Sequence, residues 1–251
     1  MDNSNKLVWI ENQVVHASDT DYRSNAKLSF ILDMMQRAAD SAVSGLGVSL
    51  EKLLEAGMAW MLITLDIDFR SMPRQNDLLS IRTWSKGTKG ALWQRDYRIF
   101  DSSDNEIASA RSIWALVDIE KRKILRPSAL PVPVEHYVAD SVGEIPSKVE
   151  IPEELLMQEA YRYQVRYSGL DNNGHLNNAR YGDLCCDALS LDEWDGRTIK
   201  RFKITYLQEA TFGQEITITR SSVETGETYV QGHSGDTILF TACLIFESEE
   251  K

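Results

Sequence analysis

Between positions 171 and 181 the chain reads Asp-Asn-Asn-Gly-His-Leu-Asn-Asn-Ala-Arg-Tyr, with a carboxylate, an amide and an imidazole at alternate positions. On extended backbone, side chains two residues apart share a face, so Asp171, Asn173 and His175 are expected to converge while Asn172 and Gly174 point away. These three types supply a base, an orienting group and a proton carrier, the parts needed to add water to an activated carbonyl. The apolar run that follows predicts a helix over 176–189, whose first amides would face the same spot and stabilise an oxyanion. The same string is also good turn chemistry, because Asx residues and glycine ahead of a helix satisfy its first amides. The local pattern supports a capping turn and an active site equally, and the rest of the chain has to decide.

Of the 251 residues, 43% are hydrophobic and 26% charged, a globular composition with enough apolar material for one large domain or two smaller ones. No stretch approaches the roughly 20 apolar residues of a bilayer span, and the opening Met-Asp-Asn-Ser-Asn-Lys lacks the basic and apolar regions of a signal peptide. A cytoplasmic chain with no membrane partner is expected. Cys185, Cys186 and Cys243 form no CxxC pair, which predicts free thiols and no structural metal. A net charge of −11 with scattered Lys and Arg leaves no basic field for nucleic acid.

The elements that would position the chemistry come in two similar sets. Leu28, Ile31, Leu32, Met35, Ala39 and Ala42 recur at helical spacing ahead of Gly45 and Gly47, predicting a long helix near 27–44. Strand-like segments follow at 60–69, 78–84, 91–100 and 106–118. Five of the six prolines, Pro127, Pro131, Pro133, Pro146 and Pro152, then fall in a stretch without clear period, read as a linker over 131–158. The second set has a strand near 161–167, the helix over 176–189, and strands near 199–207, 214–223, 226–233 and 237–247. The reading is α+β: units at 1–130 and 159–251, each a long helix wrapped by a curved antiparallel sheet, with the sheets free to join edge to edge.

The repeat separates scaffold from chemistry. Phe202-Lys-Ile-Thr-Tyr206 lies over Leu65-Asp-Ile-Asp-Phe69, and at the same offset Glu209 lies over Met72. Aligning the two helix starts sets His175 over Lys27, Asn173 over Asn25 and Asp171 over Arg23. On that alignment only the second half carries the Asp, Asn, His and Glu set, which tips the balance toward an active site.

At this point the string Tyr-Ser-Gly-Leu-Asp171 through Tyr181 resembles the motif of the plant and bacterial acyl-acyl-carrier-protein thioesterases, built as two fused hot dog folds. Met72 through Trp84, Ser112-Ile-Trp114 through Arg122 with Arg126-Pro127, and Tyr206-Leu-Gln-Glu209-Ala210 are similar to further segments of that family, over roughly residues 8–247. The resemblance implies hydrolysis of acyl-acyl-carrier-protein to free fatty acid, ending chain elongation, with Asp171, Asn173, His175 and Glu209 in the catalytic positions. It also implies an acyl pocket in the first hot dog, with Met35, Trp60 and Met61 as candidate lining. No cofactor is implied beyond the carrier's phosphopantetheine arm, which brings the acyl chain.

Where many plant members carry a cysteine after the glutamate, this chain has Ala210, so no cysteine nucleophile is available there. Cys185 and Cys186, about 15 Å along the helix from His175, read as core. By this reading Asp171, oriented by Asn173, acts as general base or nucleophile, while His175 and Glu209 handle the water and the leaving thiolate. Lys86, Lys89, Arg180, Arg197, Lys200 and Arg201 are candidates for a patch that docks an acidic carrier protein. Two alternatives stay open: an acyl-CoA thioesterase, and a non-hydrolytic acyl-binding or dehydratase-like hot dog protein. A homodimer is also compatible, although two fused hot dogs already form the usual pair.

Overall fold

Apolar residues at helical spacing form an 18-residue helix, α1 (Leu28–Gly45), whose face of Leu28, Ile31, Leu32, Met35, Ala38, Ala39 and Ala42 is buried. In the computed structural model, which describes residues 7–248 apart from 46, 48, 131, 224 and 225, this helix lies against an antiparallel sheet. The first half is completed by β1 (Trp9–Val14), α2 (Leu50–Glu55), β2 (Met58–Phe69), β3 (Leu78–Lys89), β4 (Leu92–Phe100), β5 (Glu106–Asp118) and β6 (Lys123–Ile124). The second half contains β7 (Gln158–Gln164), α3 (Arg180–Cys186), α4 (Leu191–Trp194), β8 (Arg197–Tyr206), β9 (Glu215–Arg220), β10 (Glu227–Ser234) and β11 (Thr237–Ser248). Neither β1 nor α2 was expected from the sequence. β1 mixes exposed Trp9, Ile10 and Val14 with Glu11 and Asn12, and its identity as a strand comes from pairing with β3.

The described strands form one 11-stranded sheet in the order β1-β3-β4-β5-β2-β8-β11-β10-β9-β7, with β6 added beside β5. The order reads the same from both ends about the β2–β8 pair, so the halves are related by that junction. Thr64 faces Thr205 there with their hydroxyls 3.3 Å apart, and Arg201 makes two 2.7 Å hydrogen bonds to the Asp66 carboxylate. Neither inner edge strand is left unpaired.

The second helix departs from expectation. Instead of a long helix over 176–189, α3 has seven residues and begins at Arg180. The Asn177 side chain accepts the Ala179 amide at 2.8 Å and the Asn177 carbonyl accepts the Arg180 amide at 2.9 Å, closing a turn where the helix was expected. Only the first half therefore has a long helix. The two helices approach closely at Gly182, where an added Cβ would sit 3.0 Å from Leu28 Cβ and from Leu32 Cδ1.

The described part of the segment between β6 and β7 contains a 3-10 turn, Pro127–Ala129; its start packs on the α1 side, where Leu130 and Val134 cluster with Val43, and further on it runs as a strap against the sheet. It is tied there by a buried ion pair. Asp96, with no exposed surface, accepts two hydrogen bonds from Arg111, at 2.5 and 2.6 Å, and one from the Val142 amide, while Arg111 also reaches Ser141 and the Gly143 carbonyl. Further along, the Val149 amide donates to Thr205 Oγ1 at the junction. Asp96→Asn leaves the Arg111 charge buried and uncompensated, so we expect destabilisation of about 3–5 kcal/mol in chemical denaturation, with faster proteolytic cleavage near 140–145. Gly182→Ala forces α1 and α3 apart and should lower stability by about 1–3 kcal/mol in the same assay.

Candidate active site

The Asp171 segment is a turn rather than an extended strand. The Asp171 amide donates to the His175 carbonyl at 2.8 Å and the Gly174 amide to the Asp171 carbonyl at 3.1 Å, with Gly174 at φ +78°. Asp171 Oδ1 accepts the amides of Asn173 at 2.8 Å and His175 at 3.1 Å. Asp171, Asn173 and His175 are thus linked through the backbone. The Asn173 side chain is exposed and has no hydrogen-bond partner among the described residues, so it does not orient the carboxylate as expected.

The first half contains the same turn two residues away from the alignment expected. Asp21 Oδ1 accepts the amides of Arg23 at 2.8 Å and Asn25 at 2.9 Å. In both halves the turn is then clamped to the segment after the junction strand: Ala26 donates to the Pro73 carbonyl at 2.7 Å, and Leu176 to the Ala210 carbonyl at 2.8 Å. Asp171 therefore matches Asp21, Asn173 matches Arg23, and His175 matches Asn25. The aspartate recurs because the turn needs an acceptor. What distinguishes the second half is His175 and Glu209, where the first half has Asn25 and Met72.

Those two are brought together. The His175 bridge to Thr211 sets the imidazole beside the Glu209 carboxylate, with Nε2 and Oε2 3.4 Å apart. Both are partly solvent-accessible, at 27% and 40% of the side chain. The same Oε2 meets the guanidinium of Arg122, from the turn between β5 and β6, a partner that no motif in the sequence indicated. Beneath them Tyr181 is buried, and its phenol is pushed well up, chiefly by burial and further by the charges of Asp171 and Glu209. It stays neutral.

The expected oxyanion site at the helix start is not built as anticipated. The amides of Leu176, Asn177, Ala179 and Arg180 are all taken within the chain. The Asn178 amide has no acceptor among the described residues, and Asn178 lines an apolar cavity. That cavity, about 280 Å³ with its opening, is bounded by Leu32, Met35, Leu62, Tyr97, Trp114 and Tyr206 among others. Beyond Trp114 a second cavity of about 450 Å³, also counted with its mouth, is lined by Val43, Trp60, Trp93 and the buried Arg95. From Leu32 to Val43 along α1 the two extend over about 16 Å. Met35 lines the smaller cavity and Trp60 the larger. Met61 lines neither, because alternation along β2 turns it to the face opposite Trp60 and Leu62.

Ala210 is fully buried, as is Cys185, and burial pushes the thiols of Cys185 and Cys186 far up, which keeps both protonated. The basic residues read as a docking patch are largely engaged within the chain: Lys86 with the carbonyls of Tyr137 and Asp140, Arg180 with Asp183, Arg197 with the Glu193 carbonyl, Lys200 with Glu247, and Arg201 with Asp66. Among the described residues no group of three or more His, Cys, Asp or Glu side chains is placed to hold a metal ion, and no helix is long and apolar enough to cross a membrane.

Residues 6–128 match the model of the acyl-ACP thioesterase N-terminal domain, and residues 153–237 that of the C-terminal domain. The chain belongs to the acyl-ACP thioesterase family. An acyl-[acyl-carrier-protein] hydrolase of Cuphea viscosissima is 23% identical over 70% of this chain and 45% of its own length. The palmitoyl-acyl carrier protein thioesterase of Arabidopsis thaliana is 20% identical over 81% and 52%. This acyl-ACP thioesterase family member thus spans about half the length of those plant relatives. The crystal structure of an acyl-ACP thioesterase from Bacteroides thetaiotaomicron superposes with a TM-score of 0.88 at 24% identity, covering 98% of this chain and 100% of that one. The 12:0-ACP thioesterase from Umbellularia californica gives 0.77 at 14% identity, covering 97% and 98%. These likenesses establish the tandem hot dog fold.

The matched turns make a stability prediction. Asp21→Asn and Asp171→Asn keep an oxygen acceptor in place and should leave the thermal midpoint within about 2 °C of the parent, whereas either Asp→Ala change strands two amides and should cost on the order of 1 kcal/mol.

Proposed function

We propose that this chain hydrolyses the thioester of acyl-acyl carrier protein, releasing free fatty acid and ending elongation. The observation that carries the reading is the 3.4 Å contact between His175 and Glu209, two residues distant in sequence, each three positions along the chain from a residue, Asn178 or Tyr206, that lines an apolar cavity. An imidazole oriented by a carboxylate is a general-base arrangement, and on this reading an acyl chain seated in the cavity presents its carbonyl to it.

In this mechanism Glu209 holds the His175 ring through Nε2–H, and the opposite ring nitrogen, Nδ1, takes a proton from water as the water oxygen bonds to the carbonyl carbon. The C–S bond then breaks, and His175 returns that proton to the departing sulfur. The products are a fatty acid and the carrier's free phosphopantetheine thiol. Asp171 keeps the turn through Oδ1, leaving Oδ2 to hold the attacking water. The Asn178 amide is the candidate donor to the oxyanion. Asn173, exposed at the turn, is assigned to the carrier's arm as it approaches. The acyl chain lies along α1 between Met35 and Trp60, and no metal or cofactor is called on.

The three cysteines are free thiols, which suits a reducing compartment and supports a cytoplasmic site of action. A homodimer is not required, because one chain supplies both halves.

Release of free thiol from one acyl group on acyl carrier protein and on coenzyme A tests the assignment. We expect the carrier-borne substrate to have the higher kcat/KM; the reverse order would make the protein an acyl-CoA thioesterase, and no release from either would leave an acyl-binding protein. His175→Ala and Glu209→Ala should each lower kcat by about 100-fold or more. Asp171→Asn should lower it by at least about tenfold while Asp21→Asn, in the matching turn, leaves it unchanged. Trp114→Ala joins the two cavities, and the fatty acids released by cells expressing that variant should shift to longer chains.

A further inference from the structure

Arg122 reaches Glu209 from the other half of the molecule, 87 residues away in sequence. It sits at the tip of the β5–β6 hairpin with φ +52°, a left-handed conformation that glycine adopts far more readily than arginine. The hairpin around it is firmly held: the Lys121 amide donates to Asp118 Oδ1 at 2.8 Å, Lys121 Nζ meets Asp118 Oδ2 at 3.0 Å, the Ile119 amide donates to the Gly57 carbonyl at 2.9 Å, and the Leu125 amide to the Leu116 carbonyl at 2.7 Å. A strained residue on a rigid mount is a recurrent feature of functional sites.

Stability does not account for this arrangement. The Arg122 side chain is 75% exposed and that of Glu209 40%, and ion pairs so open to water contribute little to folding. Its effect is geometric. Glu209 follows the end of β8 in a segment whose backbone is fixed, with Leu207 and Gln208 both donating to the Leu239 carbonyl and Thr211 to Gln214 Oε1. Among the described residues its carboxylate has two side-chain partners, His175 and Arg122, and both meet Oε2.

We propose that Arg122 is a positioning residue for the thioesterase reaction: it anchors the Glu209 carboxylate from the N-terminal half so that Oε2 stays on His175 Nε2. The inference rests on the reading of Glu209 and His175 given above. It makes the site depend on both halves of the chain, and it assigns Arg122 to a protein carboxylate rather than to the phosphodiester of the carrier's arm.

The test compares steady-state kinetics of the full chain on one acyl group carried either by acyl carrier protein or by N-acetylcysteamine, which has no phosphate. Arg122→Gly removes the side chain and relieves the strained backbone together. We expect its thermal midpoint to equal or exceed that of the parent while kcat falls by at least about tenfold on both substrates, with KM nearly unchanged. Arg122→Lys should recover part of the lost kcat, and Arg122→Gly combined with Glu209→Ala should be no slower than Glu209→Ala alone. Unchanged kcat in Arg122→Gly overturns the proposal, and so does an effect confined to KM for the carrier-borne substrate, which would make Arg122 a phosphate anchor. Normal turnover in Glu209→Ala overturns instead the reading on which the proposal stands.

Discussion

The site rests on two backbone contacts: the Leu176 amide on the Ala210 carbonyl, and the bridge between His175 and Thr211. They clamp the Asp171 turn to the chain leaving β8. The clamp brings the backbones carrying His175 and Glu209 together; without it, no side-chain attraction would hold two partly hydrated groups 3.4 Å apart. The first half builds the same clamp from Ala26 and Pro73, which shows that the scaffold came with the fold and that the chemistry was placed on one copy of it.

This duplication changes how the motif should be understood. An aspartate that accepts two amides in each half has a structural role before any chemical one, and Asp21 performs it where no histidine or glutamate stands nearby. The positions at which the halves differ carry the information. Asn25 against His175 and Met72 against Glu209 separate a plain turn from an acid–base pair. At Asn173, matched by Arg23, the side chain points to solvent in a turn whose shape comes from its backbone amide.

The halves are also mechanically coupled. A continuous sheet through β2 and β8 fixes their relation, and the strap between them is locked by Asp96 and Arg111 on one face while α1 and α3 meet at Gly182 on the other. The cavities lie along α1, the smaller one bordered also by Asn178 and Tyr206 of the second half, to which His175 and Glu209 belong. On the proposed reading, rigid fusion of the two lets an acyl chain seated along α1 present its reactive end to the second half.

The element types, the two-fold repeat and the family were legible in the sequence, because α1 and the strands of 58–69 and 106–118 carry strong periodic burial and the 171–181 string is distinctive. Candidate residues were legible as types at a spacing. Their geometry was not: whether Asp171, Asn173 and His175 converge depends on φ and ψ at Gly174 and on which carbonyl each amide finds, and those partners lie some 35 positions on, at 210 and 211. The length of α3 was settled by Asn177 bonding to its own turn, a competition between local acceptors that periodicity does not record. Arg122 stood in a family-like segment, but its contact was not legible: an arginine in a polar hairpin has no pattern of its own, and only the packing of two halves against one another sets it on Glu209. By itself the sequence determined which surfaces must be buried and which chemistry was available; the tertiary structure decided which groups meet, because long-range hydrogen bonds and strand register are properties of the folded whole.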